Sequence, residues 1–315
     1  MKHKFLCLLL IVIYYNPVSA QQQLYTGGYY TINVGEFTVT ALLDGTVPVD
    51  ANKLLTSTEI GKIDRLLEQS YLTNPVETSI NAYLVKIKDR LILIDTGAGE
   101  LFKSPNSGNL ILSLKGAGYK PEDITDILLT HIHADHSGGL SVAGKIQFPN
   151  AVVHLDKKEI EFWTQHEKPV PDEPIGYTAN RPAYFVLKPY LDRGRVKTFD
   201  GATELFPGIK SATYYGHTSG HCAYVLQSNH EKLVFFGDLV HIGAVQFRAP
   251  MLANRYDFDK LKAAEQRKKI YTEAAGEHYL IAADHIPFPG FGRLQNGDDG
   301  YNWVPVNFSS TGHTK

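Results

Sequence analysis

Two blocks of short apolar runs, with helical stretches between and after them, predict a mixed α/β or α+β architecture. In the first block, residues 37–43, 81–85, 91–94 and 124–130 alternate or run apolar as strands do, and residues 196–236 form the second block. Residues 110–118 and the charged amphipathic stretch 258–275 read as helices. Composition agrees with one large domain. The 315 residues are 43% hydrophobic and 20% charged with a net charge of −2, which supplies an ample core and no basic excess for nucleic acid.

Taken in chain order, the first segment stands apart. Lys2 and Lys4 precede an apolar run at 5–15, and Val18, Ser19 and Ala20 follow as small residues. This predicts a secretory signal over residues 1–20, cut before Gln21, and a periplasmic or secreted single domain over 21–315. The run is too short for stable membrane insertion. Cys7 lies inside it, so Cys222 is the remaining cysteine; no internal disulfide is expected, and Cys222 reads as a small core residue. Further on, residues 91–94 end in Asp95, Thr96 and Gly97, a strand closing on a carboxylate and a turn. At 166–190, Pro169, Pro171, Pro174, Pro182 and Pro189 alternate with Tyr177, Tyr184 and Phe185. Such proline spacing forbids a long helix, and the aromatics predict a cap that gives the site a hydrophobic wall.

The chemistry concentrates in His131-Ile132-His133-Ala134-Asp135-His136, which follows an apolar strand and precedes a Ser-Gly-Gly turn. His131 and His133 point the same way from an extended segment, and Asp135 and His136 can serve a second centre a few ångströms off. Imidazole nitrogen and carboxylate oxygen suit zinc or another borderline divalent ion. More candidates end later apolar runs: His217 and His221 in Gly216-His217-Thr218-Ser219-Gly220-His221, Asp238 after residues 233–237, and His285 after residues 280–284.

This combination resembles the metallo-β-lactamase superfamily of hydrolases, over about residues 33–292. The resemblance implies a four-layer αββα sandwich of α+β class. It also implies two divalent metal ions, zinc first, with manganese, cobalt or iron also suited. His131, His133 and His217 would hold one, Asp135, His136 and His285 the other, with Asp238 between them. His221 would support by hydrogen bonding, and Asp95 would order the ligand loop without touching metal. A hydroxide shared by the two ions would be the nucleophile, oriented by Asp135. Cysteine or serine usually stands at the Asp238 position in β-lactamases, so the carboxylate argues against a penicillin-type substrate.

Within the superfamily, residues 34–46, 237–247 and 284–292 resemble the secreted methyl-parathion-hydrolase-like group, whose relatives include N-acyl-homoserine lactonases. Only 30 residues follow His285, too few for the appended domains of glyoxalase II or flavodiiron proteins. The expected function is opening of N-acyl-homoserine lactone rings, that is, quorum quenching. The alternatives are a phosphotriesterase or other esterase and, more remotely, a non-catalytic protein that binds a small signal. Many lactonases carry tyrosine three residues after the bridging aspartate; here His241 takes that place and could polarise a carbonyl or protonate an alkoxide. Phe247, Phe288 and Phe291 could line an acyl pocket. Expected partners are a small lactone or ester and possible second copies in a homodimer, but neither nucleic acid nor a membrane.

Overall fold

The computed structural model describes residues 27–102, 104–166 and 175–310, and the side chains of 175–178 are outside that description. The signal segment over residues 1–20 and Pro169, Pro171 and Pro174 therefore lie outside the described residues.

Two seven-stranded sheets carry the fold. The first runs β1 (Gly28–Val34), β2 (Phe37–Val49), β3 (Val76–Ile87), β4 (Arg90–Ile94), β5 (Asp126–Leu128), β6 (Val152–Asp156) and β7 (Val196–Phe199), in that spatial order. The second runs β8 (Glu204–Phe206), β9 (Ile209–Thr213), β10 (Cys222–Ser228), β11 (Glu231–Phe235), β12 (Leu280–Ala282), β13 (Phe291–Gly297) and β14 (Gly300–Pro305). Hairpin-connected pairs are antiparallel, whereas β4–β5–β6–β7 and β11–β12 are parallel. Both sheets are thus mixed, and the parallel pairs need crossovers that pass over a sheet face.

Alternation along the strands sorts side chains into layers. On β3, Tyr83 and Val85 face the second sheet, joining Phe235, Tyr224 and Phe291 in a core between the sheets. Ala82 and Leu84 face outward and pack with Leu110 and Leu114 of α3 (Leu110–Gly116) and Trp163 of α5 (Lys157–Gln165). On the far side, Val234 and Ile281 meet Ile270, Tyr271 and Ala274 of α8 (Lys260–Glu277). Helix, sheet, sheet and helix make the expected four-layer sandwich, and the short helices α1 (Ala51–Leu54), α2 (Lys62–Glu68) and α7 (Gly243–Gln246) share a small core of their own. Cys222 is buried in the inter-sheet core, as its sequence context implied. No helix among the described residues is long and apolar enough to cross a membrane.

One expectation fails. Residues Ile175–Leu191 form a 17-residue helix, α6, with Pro182 and Pro189 inside it. Each proline removes one N–H···O=C bond and strains the preceding turn, at a cost of about 3 kcal/mol. Burial outweighs it: Ala183, Tyr184, Leu187 and Tyr190 recur at helical spacing and are buried against the first sheet's outer layer. Tyr190 Oη also donates to the carbonyl of Phe148 and accepts from its N–H, both at 3.2 Å. Local proline signals cannot register this tertiary packing.

Candidate metal centre

Every predicted ligand sits on a loop at one end of the two sheets. The chain leaves β5 through Leu129 and Thr130 into the His131–His136 loop, which closes as a single helical turn, α4 (Ala134–Ser137). His217 precedes β10, Asp238 follows β11, and His285 follows β12. The loops are stitched across the sandwich: Cys222 N–H donates to Thr130 O at 3.1 Å, and Asn81 N–H to Asp284 O at 2.9 Å.

The geometry centres on Asp238. Its Oδ2 stands 3.0 Å from His217 Nε2 and 3.6 Å from His131 Nε2, and its Oδ1 stands 2.9 Å from His136 Nε2 and 3.0 Å from His285 Nε2. His133 Nδ1 lies 3.0 Å from His217 Nε2. Asp135 reaches from the other side, its carboxylate 3.5 Å from His285 Nε2 and 3.8 Å from His136 Nε2. Four overlapping ligand-sized groups result among the described residues: His131–His133–His217–Asp238 and Asp135–His136–His285, which hold the seven predicted ligands, and also Asp238–His241–His285 and Asp95–His136–Asp284. The structure brings all seven residues together.

Electrostatics explain why such a cluster would be costly if left to itself. Burial pushes the His131 and His133 imidazoles well below their usual range, reinforced by the neighbouring imidazoles. Burial also acts on His217 and His285, but Asp238 and further carboxylates outweigh it and raise both to about 9. Burial alone would raise the Asp238 carboxyl; the surrounding imidazoles of His136, His241, His285 and His217 instead hold it well below the usual carboxylate range. Yet His131 Nε2, His136 Nε2 and Asp238 Oδ1 are buried and, although they crowd together, none makes a well-directed hydrogen bond among the described residues. Buried polar atoms are ordinarily satisfied. Converging imidazole and carboxylate lone pairs without donors are the signature of a cation site, and the donor set fits a borderline divalent metal.

Each imidazole is fixed from behind. His131 Nδ1 donates to Thr130 Oγ1 (3.0 Å), which donates to Asp95 Oδ2 (2.7 Å); Asp95 also accepts from Thr130 N–H (2.8 Å) and His136 Nδ1 (2.7 Å). Asp95 therefore orders the loop as its sequence position implied. His221 Nε2 accepts from the Asp238 backbone N–H at 3.0 Å, the supporting role expected of it. His285 Nδ1 donates to Ser79 O at 2.9 Å.

Several anchors escaped the sequence reading. His217 Nδ1 donates to Asp257 Oδ1 at 2.7 Å. Glu159, fully buried, accepts from Ile132 N–H (2.8 Å) and Trp163 Nε1 (3.1 Å) through one oxygen, and from Thr218 Oγ1 (2.7 Å) and Gly220 N–H (2.9 Å) through the other. It ties the two ligand loops to each other. Its only sequence signal was an acid at the third position of α5 after the N-cap Asp156, a pattern that ordinarily reads as a capping box. Asn180 on α6 accepts from Ala134 N–H at 3.0 Å.

His241 is also at the site. Asn254 Oδ1 accepts from Tyr256 N–H (2.8 Å), so its Nδ2 donates to His241 Nε2 (2.7 Å). Burial lowers the His241 imidazole's affinity for a proton, so the neutral ring carries its hydrogen on Nδ1, which is buried without a partner among the described residues. The accepting Nε2 stands 2.9 Å from Asp238 Oδ2, a contact between two acceptors that a cation would relieve.

The cluster opens onto a cavity of about 340 Å³, with Asp135, Asp238, His241 and His285 at its floor and Val49, Leu54 and Arg255 in its walls. Ala179 and Asn180 bring α6 to its rim. The aromatic wall expected from this segment is not seen among its described side chains, since Tyr184 turns into the core and Phe185 is exposed on another face. Phe291 belongs to the inter-sheet core, where strand alternation turns it inward, and Phe288, on the loop before it, packs against the same core instead of the cavity. Phe247 borders a separate cavity of about 370 Å³ that meets the first at Thr78, His241 and His285.

Comparison with known proteins agrees with this geometry. Residues 75–299 match the metallo-beta-lactamase superfamily. An N-acyl homoserine lactonase of Bacillus cereus is 25% identical over 192 residues, covering 55% of this chain and 68% of that one. A further lactonase, of a Bacillus species, is 26% identical over 164 residues and matched over 57% of its length. Among solved structures, a hydrolase of the beta-lactamase superfamily, AbOPH, superposes with a TM-score of 0.85 at 37% identity, covering 91% of this chain and 100% of that one. AidC, a dizinc quorum-quenching lactonase, gives 0.82 at 29% identity over 90% of this chain and 99% of its own.

Proposed function

The chain belongs to the metallo-beta-lactamase superfamily, and from that premise we propose that it is a binuclear metal-dependent hydrolase that opens the lactone ring of N-acyl-homoserine lactones. The observation that carries this reading is Asp238 set between two complete ligand groups at the floor of a cavity of small-molecule size. The similarity to AidC over nearly the whole of both chains supports the substrate class. An intact ligand set argues against a purely signal-binding role.

His131, His133 and His217 would hold one ion, Asp135, His136 and His285 the other, and Asp238 both; zinc suits the donors, while manganese, cobalt and iron remain compatible with oxygen-rich ligation. When bound, such a pair acidifies water and polarises an ester carbonyl. The chain's own contributions follow from position. Asp135, at 17% exposure the ligand side chain most open to the cavity, would orient the attacking water and take its proton. His241, on the cavity floor beside Asp238, would polarise the carbonyl or protonate the departing ring oxygen. That oxygen stays tethered after ring opening, so little leaving-group assistance is needed. The predicted signal segment would send the enzyme to the periplasm or outside the cell, where acyl-homoserine lactones diffuse.

The test compares initial rates of the zinc- or manganese-loaded protein on N-hexanoyl-homoserine lactone, followed by proton release, and on methyl paraoxon, followed by nitrophenolate. The expected lactone kcat/KM exceeds about 10⁴ M⁻¹s⁻¹, within the ordinary enzyme range, with much weaker triester hydrolysis. The reverse ratio would assign the site to phosphotriesters.

A further inference from the structure

Arg255 follows Asn254, the residue whose amide reaches His241, and its own backbone N–H is held by Leu54 O at 2.8 Å. The half-buried side chain belongs to the wall of the metal-site cavity, beside Val49 and Leu54. The other cation of that wall, Lys53, is paired with Asp50 at 2.9 Å. Arg255 has no carboxylate partner and no side-chain hydrogen bond among the described residues; its nearest aromatic neighbour is the adjacent Tyr256 ring, 5.7 Å from Cζ, near the outer limit of cation–π attraction. A guanidinium carries five donors in a planar fork and no acceptor. In a partly dewatered wall it is a recognition element with nothing of the protein's own to recognise.

We propose that Arg255 is a specificity-determining residue that hydrogen-bonds the carbonyl oxygens of the substituent borne by the lactone: the amide oxygen and, where present, a 3-oxo oxygen. This rests on the lactonase reading and deepens it. A neutral carbonyl is the acceptor that the substrate brings, because an intact acyl-homoserine lactone carries carbonyl oxygens and no carboxylate. The backbone clamp at Leu54 fixes where the fork begins. It leaves the guanidinium to settle on an acceptor that arrives with the substrate.

The test uses three lactones with the wild-type metal-loaded protein and with Arg255→Ala: γ-nonalactone, which has an alkyl chain and no amide, N-hexanoyl-homoserine lactone, and its 3-oxo analogue. Arg255→Ala is expected to lower kcat/KM for the acyl-homoserine lactones, relative to γ-nonalactone, by about 10-fold, equivalent to about 1.4 kcal/mol. The loss is expected mainly in KM and to be larger for the 3-oxo substrate. Arg255→Lys, which keeps the charge but not the fork, should restore only part of it. Calorimetric titration with N-hexanoyl-homoserine and with 4-hydroxynonanoate, the ring-opened γ-nonalactone that keeps the carboxylate but has no amide, reads the contact without turnover, and Arg255→Ala should weaken the first about 10-fold more than the second. Equal losses on all three lactones, or unchanged product binding, would overturn the assignment. If wild type opens none of the lactones, the parent reading fails first and this one with it, an outcome distinct from activity that is indifferent to residue 255.

Discussion

At the scale of single residues, the site depends on groups that touch no substrate. Asp257 holds His217 from behind, and its carboxylate stays ionised in a buried position because His217 and Arg267 face it and outweigh the cost of burial. Removing such a partner ordinarily costs 10–100-fold in metal affinity or activity. Asp257→Ala should therefore weaken zinc binding by about that factor, read by competition with a chromophoric chelator, and a variant with wild-type affinity would deny Asp257 this role. Gly237 is a second such point. Its φ is +54°, and a Cβ there would meet His221 Nε2 at 2.7 Å and Thr130 Cβ at 3.0 Å. Gly237→Ala should destabilise the fold by about 2 kcal/mol or more in denaturant titration, since left-handed strain and a clash add. The sequence offered the seven candidate ligands as histidines and carboxylates at the ends of apolar runs, and the resemblance to the superfamily gave their roles and those of Asp95 and His221. Asp257, Asn254 and Glu159 stayed hidden, because an isolated acid or amide has no local signature of what it will face.

At the scale of elements, the short central strand β5 shows how a polar group can pin a parallel pair. Asp126 accepts from Arg90 Nη1 (2.8 Å) on β4, from His154 Nε2 (2.9 Å) on β6, and from Thr125 Oγ1 (2.9 Å). Burial would raise its carboxyl, but the bonds from His154, Thr125 and Arg90 prevail and hold it below its ordinary value. The unfolded chain therefore takes up this proton more readily than the folded one. The stabilisation is complete above the unfolded value near 3.8 and is lost as pH falls through the lower folded value. Asp126→Asn should lower the melting temperature at about pH 7, and that deficit should shrink as pH falls below 3.8; a deficit independent of pH would contradict this account. Most strands and the long helix α8 were legible from period and length. Helix α6 was not, because Pro182 and Pro189 speak locally against a helix that Tyr184, Leu187 and Tyr190 secure by tertiary burial.

At the scale of the whole molecule, the candidate ligands come from both halves of the chain: His131, His133, Asp135 and His136 from loops of the first sheet, His217, Asp238 and His285 from loops of the second. Ions bound there would recognise only the docked sandwich and would stabilise it by mass action, about 2.7 kcal/mol at 100 times the dissociation constant. Stripping with a chelator should lower the melting temperature, and stoichiometric zinc should restore it; a melting temperature unchanged by both would speak against a site spanning the two sheets. The lattice that fixes the ligands and the walls that shape the cavity are drawn largely from different parts of the chain. Val47, Pro48, Val49, Asp50, Lys53, Leu54, Arg255 and Tyr256 line the cavity and belong to none of the ligand-sized groups. Substitutions there can redraw what the enzyme accepts while the reactive centre stays in place, so the fold separates the choice of substrate from the chemistry done to it.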